Sequence, residues 1–253
     1  MSYLFNRFGE GQSIYPVAIF ILQEELIFPD PSLANKDGLL AVGGDLQPER
    51  LLLAYKNGIF PWYAEGDPIL WWSTDPRLVL YPNEIVISRS LKKTLRKGKF
   101  QTTIDHAFEQ VIRSCAQARG RSESGTWITA EMIEAYNKLY QLGHAHSVET
   151  WFGDKLVGGL YGISMGHCFF GESMFSEMSD ASKVALVHLT SHLTQWRFQL
   201  IDCQMPSDHL MRMGARLIPR YKFISQLNDA LARVYVSEPW IATDKTAYPD
   251  RLQ

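Results

Sequence analysis

An α/β chain with a mixed central sheet is what this sequence predicts, and three observations carry that expectation. Beyond residue 77, runs with the apolar period of a helix alternate with short apolar and β-branched runs of strand type. Cap and turn residues bound those runs where they should start and stop. The 253 residues are 46% hydrophobic and 21% charged, the balance of a globular chain able to bury a core without staples.

The first third is mostly turn chemistry, as in FPDPSLANKDGLLAVGGDLQPE (Phe28 to Glu49). Asp45 is placed to cap a helix with Pro48 in its first turn, running through ERLLLAYKN and stopping at Gly58. GIFPWYAEGDPILWWSTDPR (Gly58 to Arg77) holds three tryptophans and three prolines, so it is not regular structure throughout. DHAFEQVIRSCAQAR (Asp105 to Arg119) reads as a helix with an aspartate cap, followed by the polar loop GRSESGTW. A second helix spans Thr129 to Leu142, capped by Thr129 and ended by Gly143. The strands HSVETWF and KLVGGLYGIS follow, joined by a turn at Gly153 and Asp154, then a third strand, CFFGESMF. A long helix runs from Asp180 to about Phe198, then a strand LIDCQ, a short helix, and ARLIPRY. Two helices, a run of antiparallel strands, a long helix and a further strand is the order of an N-acetyltransferase-like fold, whose sheet splays to admit an acyl donor.

Composition removes several classes. Cys115, Cys168 and Cys203 are too few and too irregularly spaced for a disulfide framework or a zinc knuckle, which points to a reducing compartment. The apolar run YPVAIFIL (Tyr15 to Leu22) is too short to cross a bilayer, which takes roughly 20 residues, and lacks the basic start and cleavage site of a signal peptide. It reads as a buried strand or an N-terminal extension, and the protein as cytoplasmic. A net charge of −2 announces no polyanion partner. Locally, however, SRSLKKTLRKGKF (Ser88 to Phe100) carries Arg89, Lys92, Lys93, Arg96, Lys97 and Lys99 with no acid among them. Such a stripe is either a solvated helix face or the footprint of a phosphate backbone.

Chemistry concentrates in three places. In LIDCQMPSDHL (Leu200 to Leu210) the strand period turns Asp202 and Gln204 one way and Cys203 the other, into core. That disfavours a thiol nucleophile. Asp202, Asp208 and His209 lack metal-ligand spacing; PSDH instead reads as a helix start with Pro206 in its first turn. A mid-strand aspartate is costly unless solvated or paired, so Asp202 and Gln204 are either a structural hydrogen-bond pair or a site. In FFGESMFS (Phe169 to Ser176), Glu172 sits among aromatics and methionine, the make-up of an apolar pocket with one anchoring charge. Trp62, Trp71, Trp72 and Trp127 are core, or platforms for unpaired bases worth about 1–3 kcal/mol each. The strand-to-helix junction Gly171 to Lys183 lacks the glycine-rich pyrophosphate turn of a CoA-dependent enzyme, and phosphate-loop and dinucleotide fingerprints are absent.

The blocks GLLAVGGDL, GIFPWY, DPILWWSTDPR, GTWIT, LGHAHSVE, LVGGLYG, FFGESMFS, ASKVALVHL and LIDCQ…DH…MGA…IPR, in order from about Gly38 to Tyr221, resemble the leucyl/phenylalanyl-tRNA–protein transferases. Residues Met1 to Ile27 and the tail after Val236 carry no matching motif. The resemblance implies a small N-terminal α/β domain, residues 1–76, joined to an N-acetyltransferase-like domain, residues 77–253. It implies transfer of leucine or phenylalanine from leucyl-tRNA or phenylalanyl-tRNA to proteins that begin with arginine or lysine, marking them for N-end-rule degradation. The implied enzyme is a cytoplasmic monomer that uses no metal, no coenzyme and no membrane. By position, Asp202, Gln204 and Glu172 match the residues assigned to peptide-bond formation. Leu160, Phe169, Met174, Leu189, Leu193 and Ile201 fall at the aminoacyl side-chain pocket, and Trp62 and Trp127 near the tRNA 3′ adenosine. The stripe at Ser88 to Phe100 would then take tRNA phosphates, and Asp202 with Gln204 would orient the attacking amine, Asp202 helping to remove its proton. Rival readings are an aminoacyl-tRNA-dependent transferase for another amine, a non-catalytic tRNA-binding protein and, disfavoured, a CoA-dependent acyltransferase.

Overall fold

Strands of the first seventy residues assemble into a four-stranded sheet of their own. In the computed structural model, which describes residues 19–120, 127–233, 240 and 246–247, these are β1 (Phe20–Leu22), β2 (Leu39–Gly43), β3 (Phe60–Pro61) and β4 (Leu70–Trp72), in the order β1-β2-β4-β3. Helix α1 (Pro48–Lys56) packs beside them, with Pro48 in its first turn, where a missing N–H costs nothing. Trp71 and Trp72 are core, their indole N–H groups donating to the carbonyls of Gly43 and Trp62.

The remaining chain builds an eight-stranded mixed sheet. Its elements are β5 (Arg77–Leu80), α2 (Arg89–Arg96), β6 (Gln101–Ile104), α3 (Phe108–Gly120), α4 (Ala130–Gln141), β7 (Ala145–Phe152), β8 (Lys155–Met165), β9 (Cys168–Ser176), α5 (Ala181–Gln195), β10 (Leu200–Gln204), α6 (Asp208–Arg212), β11 (Arg216–Ile218), α7 (Arg220–Ala232) and β12 (Thr246–Ala247). The sheet order is β11-β5-β10-β9-β8-β7-β6-β12. Helices α3 and α4 cover one face and α5 the other, which is why β7 and β8 are buried almost throughout instead of alternating. Two apolar clusters result, one shared by α1, α3, α4 and α7, the other formed under α5. The order of elements is the one on which the sequence expectation of an N-acetyltransferase-like fold rests, and β10 pairs parallel to β9.

Gly158 shows why the glycine run in β8 matters: a Cβ there would lie 2.5 Å from the Ala181 methyl, so glycine lets α5 start directly on the sheet. The turn at Gly153 and Asp154 and the Thr129 cap, which accepts the Met132 N–H, stand as expected. Several boundaries differ. The α1 cap is Gln47, because the Asp45 carboxylate takes the Gln47 N–H and pairs with Arg50. Asp105 does not cap α3: at φ 54° it binds the Ser147 N–H and His146, while the N–H groups of His106 and Ala107 turn to Glu149. Helix α5 ends at Gln195, and Ser207 caps α6, so Pro206 precedes the first turn. Strand β1, the end of the YPVAIFIL run, is an edge strand with Phe20 and Ile21 exposed rather than buried. Tyr15 to Ala18 and most of the GRSESGTW loop lie outside the described residues. Helix α7 has no counterpart in the sequence expectation.

Candidate active site

The β9–β10 ladder is paired only from Cys168–Leu200 to Phe170–Asp202, although β9 continues to Ser176. Just beyond, each strand carries a bulge: Glu172 is the extra residue of β9 against β8, and Cys203 that of β10 against β5. The sheet is therefore open between Gly171–Met174 and Cys203–Gln204. Across that opening the Gln204 amide donates to Glu172 Oε1 at 2.8 Å.

Asp202 is wholly enclosed. Arg77 Nε and Nη2 donate to its two oxygens at 2.8 and 2.7 Å, and the Gln204 N–H adds a third bond at 2.9 Å. Arg77 is itself buried, its guanidinium lying 4.7 Å over the ring of Phe60 and 4.6 Å from that of Phe223. Gln204 adopts φ 61°, a left-handed conformation that costs a side-chain-bearing residue about 1–2 kcal/mol. The Asp202 bond to its N–H and the Thr74 hydroxyl donating to its carbonyl at 3.0 Å hold it there. Asp202 and Gln204 thus pair with adjacent residues of β5, Val79 and Leu78. The left-handed turn, not strand period alone, brings the Gln204 side chain to Glu172.

Glu172 gathers the rest. Tyr55 of α1 donates to Oε1 at 2.8 Å, the Tyr136 hydroxyl of α4 is hydrogen-bonded to Oε2 at 3.0 Å, and the two phenols also contact each other. Three oxygen–oxygen contacts close this ring, yet two tyrosines bring only two protons. A protonated Glu172 supplies the third. Consistently, burial pushes its carboxyl from 4.5 up to about 7, with Asp202 adding to the rise and the bonds from Tyr55, Tyr136 and Gln204 opposing it. Burial, then the Glu172 charge, drives both phenols well above 10. Glu172 and Gln204 are buried, at 6% and 8% exposure, and Asp202 completely so, at 0%.

The six pocket positions come together under α5. Leu160, Phe169, Leu189, Leu193 and Ile201 are buried in one apolar cluster and Met174 packs against it. They face the opposite side of the sheet from the polar ring, since Ile201 and Asp202 are successive strand residues. Cys203 packs on that same cluster, and burial pushes its thiol far up, away from nucleophilic use. Trp62 and Trp127 are half-buried at the margin of the other cluster, with Trp62 edge-on to Trp72 at 5.6 Å. In α2 only Leu91 is buried; Arg89, Lys92, Lys93, Arg96, Lys97 and Lys99 are all exposed and in no ion pair among the described residues. Among the described residues, no group of three or more His, Cys, Asp or Glu is arranged to hold a metal, and no helix is long and apolar enough to cross a membrane.

Sequence reasoning missed Tyr55, Tyr136 and Arg77. The tyrosines look like core aromatics of amphipathic helices, and nothing local marks them otherwise. Arg77 did carry a signal: a cation heading the apolar run RLVL needs a buried partner.

The chain matches the family described as leucyl/phenylalanyl-tRNA protein transferase over residues 79–228, and that family's N-terminal domain over residues 44–75. It is 54% identical to the leucyl/phenylalanyl-tRNA–protein transferase of Desulforapulum autotrophicum over 89% of this chain and 98% of the relative. With that of Syntrophobacter fumaroxidans the identity is 57%, over 88% and 95%. Among solved structures, a GCN5-related N-acetyltransferase from Kribbella flavida aligns with 68% of this chain and 61% of that one, at 11% identity and a TM-score of 0.34. The family match spans most of the chain and takes in Tyr55, Tyr136, Glu172, Asp202 and Gln204; the chain belongs to the leucyl/phenylalanyl-tRNA protein transferase family.

Proposed function

We propose that this protein transfers leucine or phenylalanine from aminoacyl-tRNA to the N-terminal arginine or lysine of acceptor proteins, the mark for N-end-rule degradation in bacteria. The observation that carries the reading is the Glu172–Gln204 bridge across the opening between β9 and β10, in a chain of this family. An aminoacyl ester is already activated, so no covalent enzyme intermediate is required. The acceptor ammonium loses a proton, its nitrogen bonds to the ester carbonyl carbon, and the carbon–oxygen bond to the terminal ribose breaks, the ribose oxygen leaving with a proton. Holding amine and ester in contact supplies several powers of ten.

Glu172 and Gln204 are the groups that face this amine. A carboxyl that titrates near 7 exchanges a proton readily at neutral pH, and its ionised form would attract a basic first residue. Asp202 is a positioning residue: locked to Arg77, it holds the Gln204 backbone in its left-handed turn. The apolar set under α5 takes the leucyl or phenylalanyl side chain, at roughly 1–3 kcal/mol of discrimination per methylene. Trp62 and Trp127 border the terminal adenosine, and the cations of α2 take backbone phosphates. The reaction runs in the cytoplasm, on a monomer, without metal or coenzyme.

The test is leucyl-tRNA incubated with matched peptides beginning with arginine or alanine, read by mass. Leucine added to the arginine peptide alone is expected. Equal addition to both, or to neither, refutes the proposal.

A further inference from the structure

The family match ends at residue 228, yet Trp240, like Met174, packs against the apolar cluster that contains the other five pocket positions. Its indole stacks on His146, ring centroids 4.1 Å apart and planes 10° from parallel. It lies 5.8 Å from the ring of Phe169 and meets Trp196 edge-on at 5.1 Å and Phe198 at 6.5 Å. His146 offers a fixed surface for this stack, because its Nδ1 is held by Asp105 Oδ2 at 2.7 Å. The chain is tied on both sides of Trp240, by α7 before it and by β12, which pairs with the edge strand β6, after it.

Phe169 connects this contact to the pocket. Its ring lies over Gly162, where a Cβ would come within 2.6 Å of the ring edge. The ring is therefore held by a bare backbone beneath and by the indole beside it. Among the described residues, Trp240 Nε1 and His146 Nε2 are buried without a hydrogen-bond partner. Ring stacking and shape hold the pair, and Trp240 contributes volume at this point, not a polar bond. Pocket depth is what separates leucyl from larger side chains, and the indole sets how far back the Phe169 ring can lie.

We propose that Trp240 is a specificity-determining residue: it forms the back wall of the aminoacyl side-chain pocket by pinning the Phe169 ring on Gly162. The inference rests on the transfer function proposed above. Removing the indole frees the ring to move back, deepens the pocket, and favours bulky aromatic side chains over leucine.

The experiment compares the full-length wild type with Trp240→Ala and Trp240→Phe. One arm measures binding of non-reactive 3′-amide analogues of leucyl-adenosine and tryptophanyl-adenosine. The other measures kcat/KM with leucyl-tRNA and tryptophanyl-tRNA on a peptide beginning with arginine. In Trp240→Ala the tryptophanyl-to-leucyl ratio should rise by at least about tenfold in both arms, through Kd and KM rather than kcat. Trp240→Phe should restore most of the wild-type ratio. A ratio within about threefold of wild type, or equal losses for both substrates with a lower melting temperature, overturns the inference, the second result assigning Trp240 to stability alone. Wild type that binds neither analogue and transfers neither amino acid refutes the transfer function itself, and this inference with it. Wild type that binds and transfers normally while Trp240→Ala leaves the ratio unmoved refutes only the role of Trp240.

Discussion

Replacing Glu172 with glutamine should abolish a specific part of the pH dependence of stability. In the folded state the carboxyl titrates near 7, against 4.5 as the ordinary value. Between those two values the unfolded chain has lost the proton while the native chain retains it. Stability therefore falls as pH rises, because the native state binds more protons there. The contribution is fully present below pH 4.5, shrinks through neutrality, and is gone above the folded value. A shift of that size corresponds to about 3 kcal/mol, or roughly 6–12 °C in melting temperature for a chain of this length. The groups facing Glu172 are Tyr55 of α1, Tyr136 of α4, and Gln204 and Asp202 of β10. Of these, only Asp202 carries a charge, and Arg77 balances it. Glutamine keeps the shape, accepts from Gln204 and Tyr55 through its oxygen, and offers Tyr136 an N–H donor where the protonated carboxyl offers its O–H. Urea unfolding of both proteins from pH 5 to 8.5 isolates the effect, because every other group, including the depressed His188, is common to both. The difference between wild type and variant should move by about 2–3 kcal/mol across that range, against the wild type at high pH. A difference that stays flat to within about 1 kcal/mol would falsify a protonated Glu172 and the three-proton ring built on it.

Three further outcomes are expected. Arg77→Met leaves the Asp202 carboxylate buried without its counter-charge and should cost about 3–5 kcal/mol in chemical unfolding, whereas the double variant Arg77→Met with Asp202→Leu should recover much of that loss; strictly additive losses would show that the pair is not coupled. Asp202→Ala releases the Gln204 turn, so single-turnover transfer should fall by roughly 100-fold while tRNA affinity stays within about twofold; equal losses in rate and affinity would remove its positioning role. Neutralising Lys92, Lys93 and Arg96 together should weaken tRNA binding and flatten the log–log salt slope by up to about 3, at roughly 0.7–0.9 for each phosphate no longer neutralised. An unchanged slope in filter binding would return the stripe to being a solvated helix face.

Much of this protein is legible in local signals of its sequence. Thr129, Gly143 and the Gly153–Asp154 turn act within a few residues of themselves, so helix α4 and the β7–β8 hairpin can be read without a structure. The run from Asp180 to about Phe198 declares a long helix, which the structure ends at Gln195, and the ordered blocks from Gly38 to Tyr221 identify the family. Asp45 and Asp105 look like helix caps in the sequence, but a carboxylate satisfies whichever donor the fold brings nearest, and here those donors are Arg50, Gln47, His146 and Ser147. The electrostatic state of the site, by contrast, arises from tertiary packing. Tyr55 reaches Glu172 across 117 residues, and Arg77 reaches Asp202 across 125. Gln204 turns left-handed because Thr74 and Asp202 hold both ends of its peptide unit. Strand periodicity gives the direction of a side chain, but its protonation and its partner depend on which groups exclude water around it. Those groups meet only when α1, α4, β5, β9 and β10 are packed together.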